Sequence, residues 1–153
     1  MSHRFDQCLT SRGLRPSPVD PAKVEREIAE ARGDLSAAIR TLEQADHKWA
    51  IIKAYYSIFH ACRSLVYSAG YTEKSHDCVI VAVQDLFVAR GILPAFVATA
   101  MREAKAAREA ADYGLSYNDE AAVAIIRDAE EVCRIVTAYL DDPMSAIADE
   151  DVS

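Results

Sequence analysis

Apolar residues at Val24, Ile28, Ala31, Leu35, Ile39 and Leu42 recur at spacings of three and four, the repeat of one helical face. Asp20 offers an N-cap and Pro21 suits the first helical position, so a helix is predicted to open there. A second run extends from about Asp46 to Ala69, with Gly70 as its stop. It is patterned on two sides. Ile51, Tyr55, Ile58, Cys62, Leu65 and Ala69 form an apolar stripe, while Trp49, Lys53, Tyr56, His60, Arg63 and Tyr67 form an aromatic and basic seam. Such a helix is predicted to lie centrally, contacted from both sides.

A polar connection, YTEKSHD, leads to a shorter helix carrying Val79, Ile80, Val83, Leu86 and Phe87, which Gly91 ends. Pro94 then starts a helix with the stripe Phe96, Ala100, Ala104, Ala107 and Ala111, whose small side chains admit a close neighbour. After YGLSYND, with Ser116 or Asn118 as cap, a last helix repeats Ile125, Ala129, Val132, Val136 and Leu140. The pattern predicts an all-α protein: an antiparallel up-and-down four-helix bundle with one additional short helix. Residues 1–19 lack helical periodicity and carry Gly13, Pro16 and Pro18, which reads as a flexible N-terminal arm. The bundle is expected over 20–140, followed by an acidic disordered tail over 141–153.

Composition narrows the function classes. The chain has 153 residues, the length of one domain, with a formal net charge of −7 and a pI near 5.0. A surface that coats nucleic acid non-specifically needs clustered cations, so only a local basic pocket remains open. Cys8, Cys62, Cys78 and Cys133 form no CxxC pair and are expected as free, buried thiols in a reducing compartment. No apolar stretch reaches the ~18 residues of a membrane span, and the first residues lack the apolar segment of a signal peptide. A cytoplasmic protein without membrane attachment is expected.

The segment AREAADYG places Arg108 at the margin of its helix's apolar arc, between Val97 and Met101, with Asp112 four residues on. Charge at such a margin calls for an explanation. One reading is an i,i+4 salt bridge, with Tyr113 and Gly114 ending the helix. The other is an anion or phosphate contact, which suits a planar, permanently charged guanidinium. Lys53, Tyr56, His60 and Arg63 mix cations with rings, a combination suited to nucleotide stacking or to a partner surface. Lys74 and His76 precede a helix start, where free N–H groups also favour anions. Carboxylate-bridged metal bundles need several paired Glu-x-x-His motifs. Glu73 and His76 are the single match and fall in a loop. No metal and no cofactor is therefore expected. Phosphate-cradling glycine loops and Ser-His-Asp or Cys-His signatures are likewise missing from the sequence.

KAYYSIFHACRSLVYSAG, EKSHDCVIVAVQDLF and REAADYG, in this order, resemble the HEPN domain family, in particular its small single-domain prokaryotic members. The resemblance covers about residues 21–140. It implies an antiparallel four-helix bundle, a homodimer, and pairing with a minimal nucleotidyltransferase in a toxin–antitoxin system. Many members are metal-independent endoribonucleases with an Arg-x4-6-His motif, whose arginine maps onto Arg108. The expected histidine is absent, because positions 113, 114 and 115 are Tyr113, Gly114 and Leu115. Arg40 and His47 have an Arg-x6-His spacing but straddle a helix junction, the wrong place for the family's site.

The favoured expectation is a module that binds a nucleotidyltransferase partner, a nucleotide or RNA, without strong catalysis of its own. The alternative is a metal-independent ribonuclease toxin, its catalytic site built around Arg108, Asp112 and Tyr113. The imidazole would then come from His60, from His76, or from across the dimer. The same gene pairing raises modification of Tyr113 by a partner nucleotidyltransferase.

Overall fold

A computed structural model describes residues 1–114 and 117–143. The chain runs α1 (His3–Thr10), β1 (Leu14–Pro16), α2 (Pro21–Glu43), α3 (His47–Ser68), β2 (Tyr71–Glu73), α4 (His76–Val83), α5 (Phe96–Asp112) and α6 (Asp119–Asp141). The fold is mostly helical, as the patterning predicts, with only a two-stranded ribbon added. Local signals set several boundaries. Asp20 caps α2 through Ala22 N–H with Pro21 in the first turn, Asp46 caps α3 through Trp49 N–H, and Asn118 caps α6 through Ala121 N–H. Gly70 and Gly114 follow α3 and α5 with φ of +88° and +67°, a conformation that suits glycine.

Helix α3 is the hub and packs on α2, α4, α5 and α6. Ile51, Tyr55, Ile58, Cys62 and Leu65 of its apolar stripe are all buried. The turn at Gln44–Asp46 folds α2 back on α3, and the buried Ser57 hydroxyl donates to the Ala31 carbonyl across that pair at 2.7 Å. Alanines at 98, 100 and 104 in α5 and at 122 and 129 in α6 are completely buried, so these helices approach their neighbours closely. After α4 the chain passes into a π-helical turn, Gln84–Val88, that buries Leu86 and Phe87.

The first nineteen residues are not a loose arm. Helix α1 buries Phe5 and Cys8, and β1 pairs antiparallel with β2 with Arg15 opposite Thr72. Phe5 meets Tyr71 edge to face at 5.7 Å, and the Ser2 amide donates to the buried Asp85 carboxylate at 2.7 Å. Burial of Phe5 and Leu14 contributes about 2 kcal/mol each. A disulfide between Cys8 and Cys78, with Cα atoms 5.8 Å apart, fastens α1 to α4. This corrects the expectation of four free thiols, because only Cys62 and Cys133 are free, both buried. Burial pushes the Cys62 thiol up to about 12. Gly13 is required by the same junction: a Cβ there would lie 2.8 Å from Cys78 Sγ.

At the other end, Asp141 belongs to α6, one residue past the expected end of the bundle at 140. Residues 144–153 lie outside the described residues, as do Leu115 and Ser116. Among the described residues no helix is long and apolar enough to cross a membrane.

Candidate functional site

Helices α3 and α5 and the start of α4 bring cations and rings together in alternation. Arg108, near the end of α5, lays its guanidinium over the rings of Tyr55 and Tyr56, with Cζ 5.1 and 5.3 Å from their centroids. The Tyr55 hydroxyl lies 2.9 Å from His76 Nδ1. The His76 imidazole lies against Phe59 at 4.1 Å between centroids, and Arg63 stands over Phe59 at 5.8 Å and over Tyr67 at 5.2 Å. The order Arg108, Tyr55, His76, Phe59, Arg63, Tyr67 is a ladder in which each cation or imidazole has an aromatic neighbour. Such contacts stabilise by about 0.5–2 kcal/mol each, more where water is excluded.

Both readings of Arg108 have geometric content. Its Nε lies 3.2 Å from Asp112 Oδ2, the i,i+4 ion pair, yet this buried nitrogen has no aligned hydrogen-bond acceptor. Ring stacking and charge therefore hold the guanidinium more than a directed bond does. Burial opposes its charge, but Tyr56, Tyr55 and Asp112 outweigh that and raise its pKa.

The Tyr55–His76 contact defines a proton arrangement. Burial, partly offset by Arg108, pushes the Tyr55 phenol up to about 12, so it keeps its proton at neutral pH. Donation of that hydrogen to His76 Nδ1 leaves the ring proton of neutral His76 on Nε2, and Nδ1–H donating to the phenol oxygen is the other tautomer of the same contact. Burial also lowers the His76 pKa, and Arg108, Arg63 and Lys105 lower it further against an opposing pull from Glu73. His76 is consequently favoured in its neutral form, beside both Glu73 and the cations Arg108, Arg63 and Lys105.

The basic seam of α3 is committed elsewhere. Lys53 Nζ donates to the Thr41 hydroxyl at 2.8 Å. His60 Nδ1 lies 2.6 Å from Glu27 Oε2 and its Nε2 lies 3.7 Å from Asp34. Arg63 Nε lies 2.9 Å from Glu73, with Glu27 at 3.9 Å from NH1. Lys53 and His60 thus join α2 to α3 as a polar layer, while Tyr56 and Arg63 touch both that layer and the ladder. Trp49 is exposed. Lys74 is exposed too, and its amide donates to the Gly13 carbonyl. Tyr113, the C-cap of α5, is 79% exposed and stands apart from the ladder's ring contacts.

Tyr55, Phe59, Glu27 and Lys105 complete these arrangements without being candidate site residues in the sequence, and Glu73, weighed there only as half of a Glu-x-x-His match, pairs with Arg63. Tyr55 reads there as a core residue, which it also is; the adjacent Tyr55-Tyr56 pair was the available signal. Glu30, Asp34 and His60 place one potential ligand atom each within 4.8 Å of one another, the one such grouping among the described residues. Its i,i+4 carboxylates on α2 were legible, but their meeting with His60 was not.

Comparison with known proteins agrees with this architecture. The chain is similar to a UPF0332 protein of Pyrococcus horikoshii, 37% identical over 60 residues, or 39% of this chain and 42% of that protein. The match therefore spans less than half of that relative's length. The family model of the HEPN domain matches residues 24–139, from the first turn of α2 almost to the end of α6 and through every residue of the ladder. On that match the chain belongs to the HEPN domain family.

Proposed function

We propose that the chain is a HEPN module that recognises a phosphate of RNA or of a nucleotide at the Arg108–His76 end of the ladder, without strong catalysis of its own. The observation that carries this is the Tyr55 hydroxyl on His76 Nδ1. It turns the imidazole into an Nε2–H donor beside the Arg108 guanidinium, a pairing suited to an anionic oxygen. The same bond argues against His76 as a general base, since its lone pair is occupied by the phenol. Tyr55 and Phe59 are buried, so the rings within reach of a base are the partly exposed Tyr56 and Tyr67. In this reading the module works as a homodimer with a minimal nucleotidyltransferase partner in a toxin–antitoxin-like pair in the cytoplasm, and the exposed phenol of Tyr113 is open to modification by that partner.

A second reading, a metal-independent endoribonuclease toxin, draws on one observation. A histidine of the same chain stands one tyrosine away from Arg108, so no imidazole need be borrowed from a second protomer. It requires the opposite tautomer, with Nε2 free to take the proton of a ribose 2'-hydroxyl.

The test is fluorescence anisotropy with labelled tRNA and single-stranded RNA in a chelator, for wild type, Arg108→Ala and His76→Ala. Loss of a hydrogen bond to a charged group predicts binding weaker by roughly tenfold or more in each variant. Equal affinity in all three would overturn the binding reading. Cleavage by wild type that His76→Ala abolishes would transfer the site to the ribonuclease reading.

A further inference from the structure

Residues 1–19 carry three arginines, at positions 4, 12 and 15, against a single aspartate, in a chain whose net charge is −7. Two of those arginines line one cleft of about 640 Å³ between the end of α1 and the β-ribbon, together with Ser17, Thr72, Leu9 and Leu14. The lining includes no carboxylate. Arg63, Arg108 and Arg134 have acidic partners, whereas Arg12 and Arg15 belong with the arginines that form no ion pair among the described residues. Arg15 Nε is buried without a hydrogen-bond partner, a cost that structures rarely leave unmet.

Arg12 adds an independent observation. It sits just beyond the C-cap of α1 with φ of +63°, its amide bonded to the Leu9 carbonyl. Glycine is the usual occupant of that left-handed position, and a long side chain there is strained. The backbone beneath it is fixed by the Cys8–Cys78 disulfide and by strand pairing, so two guanidinium groups are presented from a rigid base.

We propose that this cleft is an anion site, separate from the ladder, that takes a phosphate group between Arg12 and Arg15 with Ser17 and Thr72 as hydroxyl donors. Inorganic phosphate, a nucleotide and an RNA backbone share that chemistry. Planar guanidinium forks match phosphate oxygens, and in an acidic molecule a face that carries arginines and no carboxylate is favourable for an anion. The site shares no residue with Arg108, Tyr55 or His76 and stands whether or not those bind RNA.

The experiment is an NMR titration of the full chain with ¹⁵N-labelled arginine, following the Arg12 and Arg15 Nε–H signals as sodium phosphate is added. Sodium chloride at matched ionic strength is the reference, and adenosine monophosphate and a short single-stranded RNA are parallel arms. Saturable shifts with phosphate but not chloride are expected, weakened about tenfold by Arg15→Gln. Arg12→Gly should weaken binding similarly while leaving the melting temperature equal or higher, since glycine accepts the left-handed backbone. The arm that saturates at the lowest concentration identifies the source of the phosphate. Shifts that match chloride, survive both substitutions, or vanish in Arg108→Ala would overturn the proposal; the last would assign the phosphate to the ladder.

Discussion

Tyr55 and His76 meet at 2.9 Å, hydroxyl to Nδ1, and this contact ties the central helix to the first residue of α4. It also engages Nδ1 and leaves Nε2 outside the contact. Two-bond ¹H–¹⁵N spectra of wild type at neutral pH should show the proton on Nε2, and Tyr55→Phe should give a mixture of tautomers. A wild-type ring protonated on Nδ1 would reverse the donor assignment.

The His76 pKa is expected to respond in opposite directions to two substitutions. Arg108→Ala removes a repelling cation and should raise it, whereas Glu73→Gln removes an attracting anion and should lower it further. In wild type the folded-state value lies below the unfolded ~6.5. The unfolded chain therefore binds the proton first as pH falls. His76 contributes stability that is present above that unfolded value and lost as pH falls through the folded one. Urea titrations of wild type and His76→Ala at descending pH should converge, and a constant difference would refute the assignment.

Glu27 is buried and faces both His60 and Arg63. Glu27→Gln is expected to destabilise the fold by about 2 kcal/mol, since the partly buried His60 and Arg63 lose a charged acceptor. The urea midpoint should fall while RNA affinity stays within about twofold, because the ladder beyond Arg63 is untouched. A large loss of affinity with unchanged stability would instead place the α2–α3 seam in the binding surface.

Helix caps are local, and Asp20, Asp46 and Asn118 could be read directly from the chain. So could the central place of α3, because a helix with apolar residues on one side and rings on the other has two faces to cover. The N-terminal segment was not legible for a physical reason. Its helix spans two turns, its strand has three residues, and what holds them is tertiary. Cys8 and Cys78 are 70 residues apart, beyond any spacing rule. The candidate site divides the same way. Arg108 was visible as a cation at an apolar margin, but its nearness to His76 depends on Tyr55, which periodicity assigns to the core.

Reduction of the Cys8–Cys78 disulfide should lower stability without unfolding the bundle. Closing a loop of this length contributes about 4 kcal/mol on the chain-entropy account, or a melting temperature lower by roughly ten degrees for a domain of this size. Calorimetry with and without reductant, beside Cys8→Ser, checks it; a melting point unaffected by either treatment would mean that the bridge does not form in solution. Gly13→Ala should reproduce part of the loss, because its new methyl would press on the bridge.

That bridge makes a closed covalent ring of the chain from Cys8 to Cys78, and the ring contains all of α2 and α3. A peptide bond cut in the Gln44–Asp46 turn would leave the two pieces linked and migrating as one until reductant is added. Tyr55, Phe59, Arg63 and His76 all lie inside the ring. Arg108 lies outside it, on a helix retained by packing and by the Lys105–Asp77 ion pair. The ladder is thus closed at one end by a removable rung, and partial loosening of α5 would part Arg108 from His76 while the ring and its tyrosine–histidine contact stayed whole.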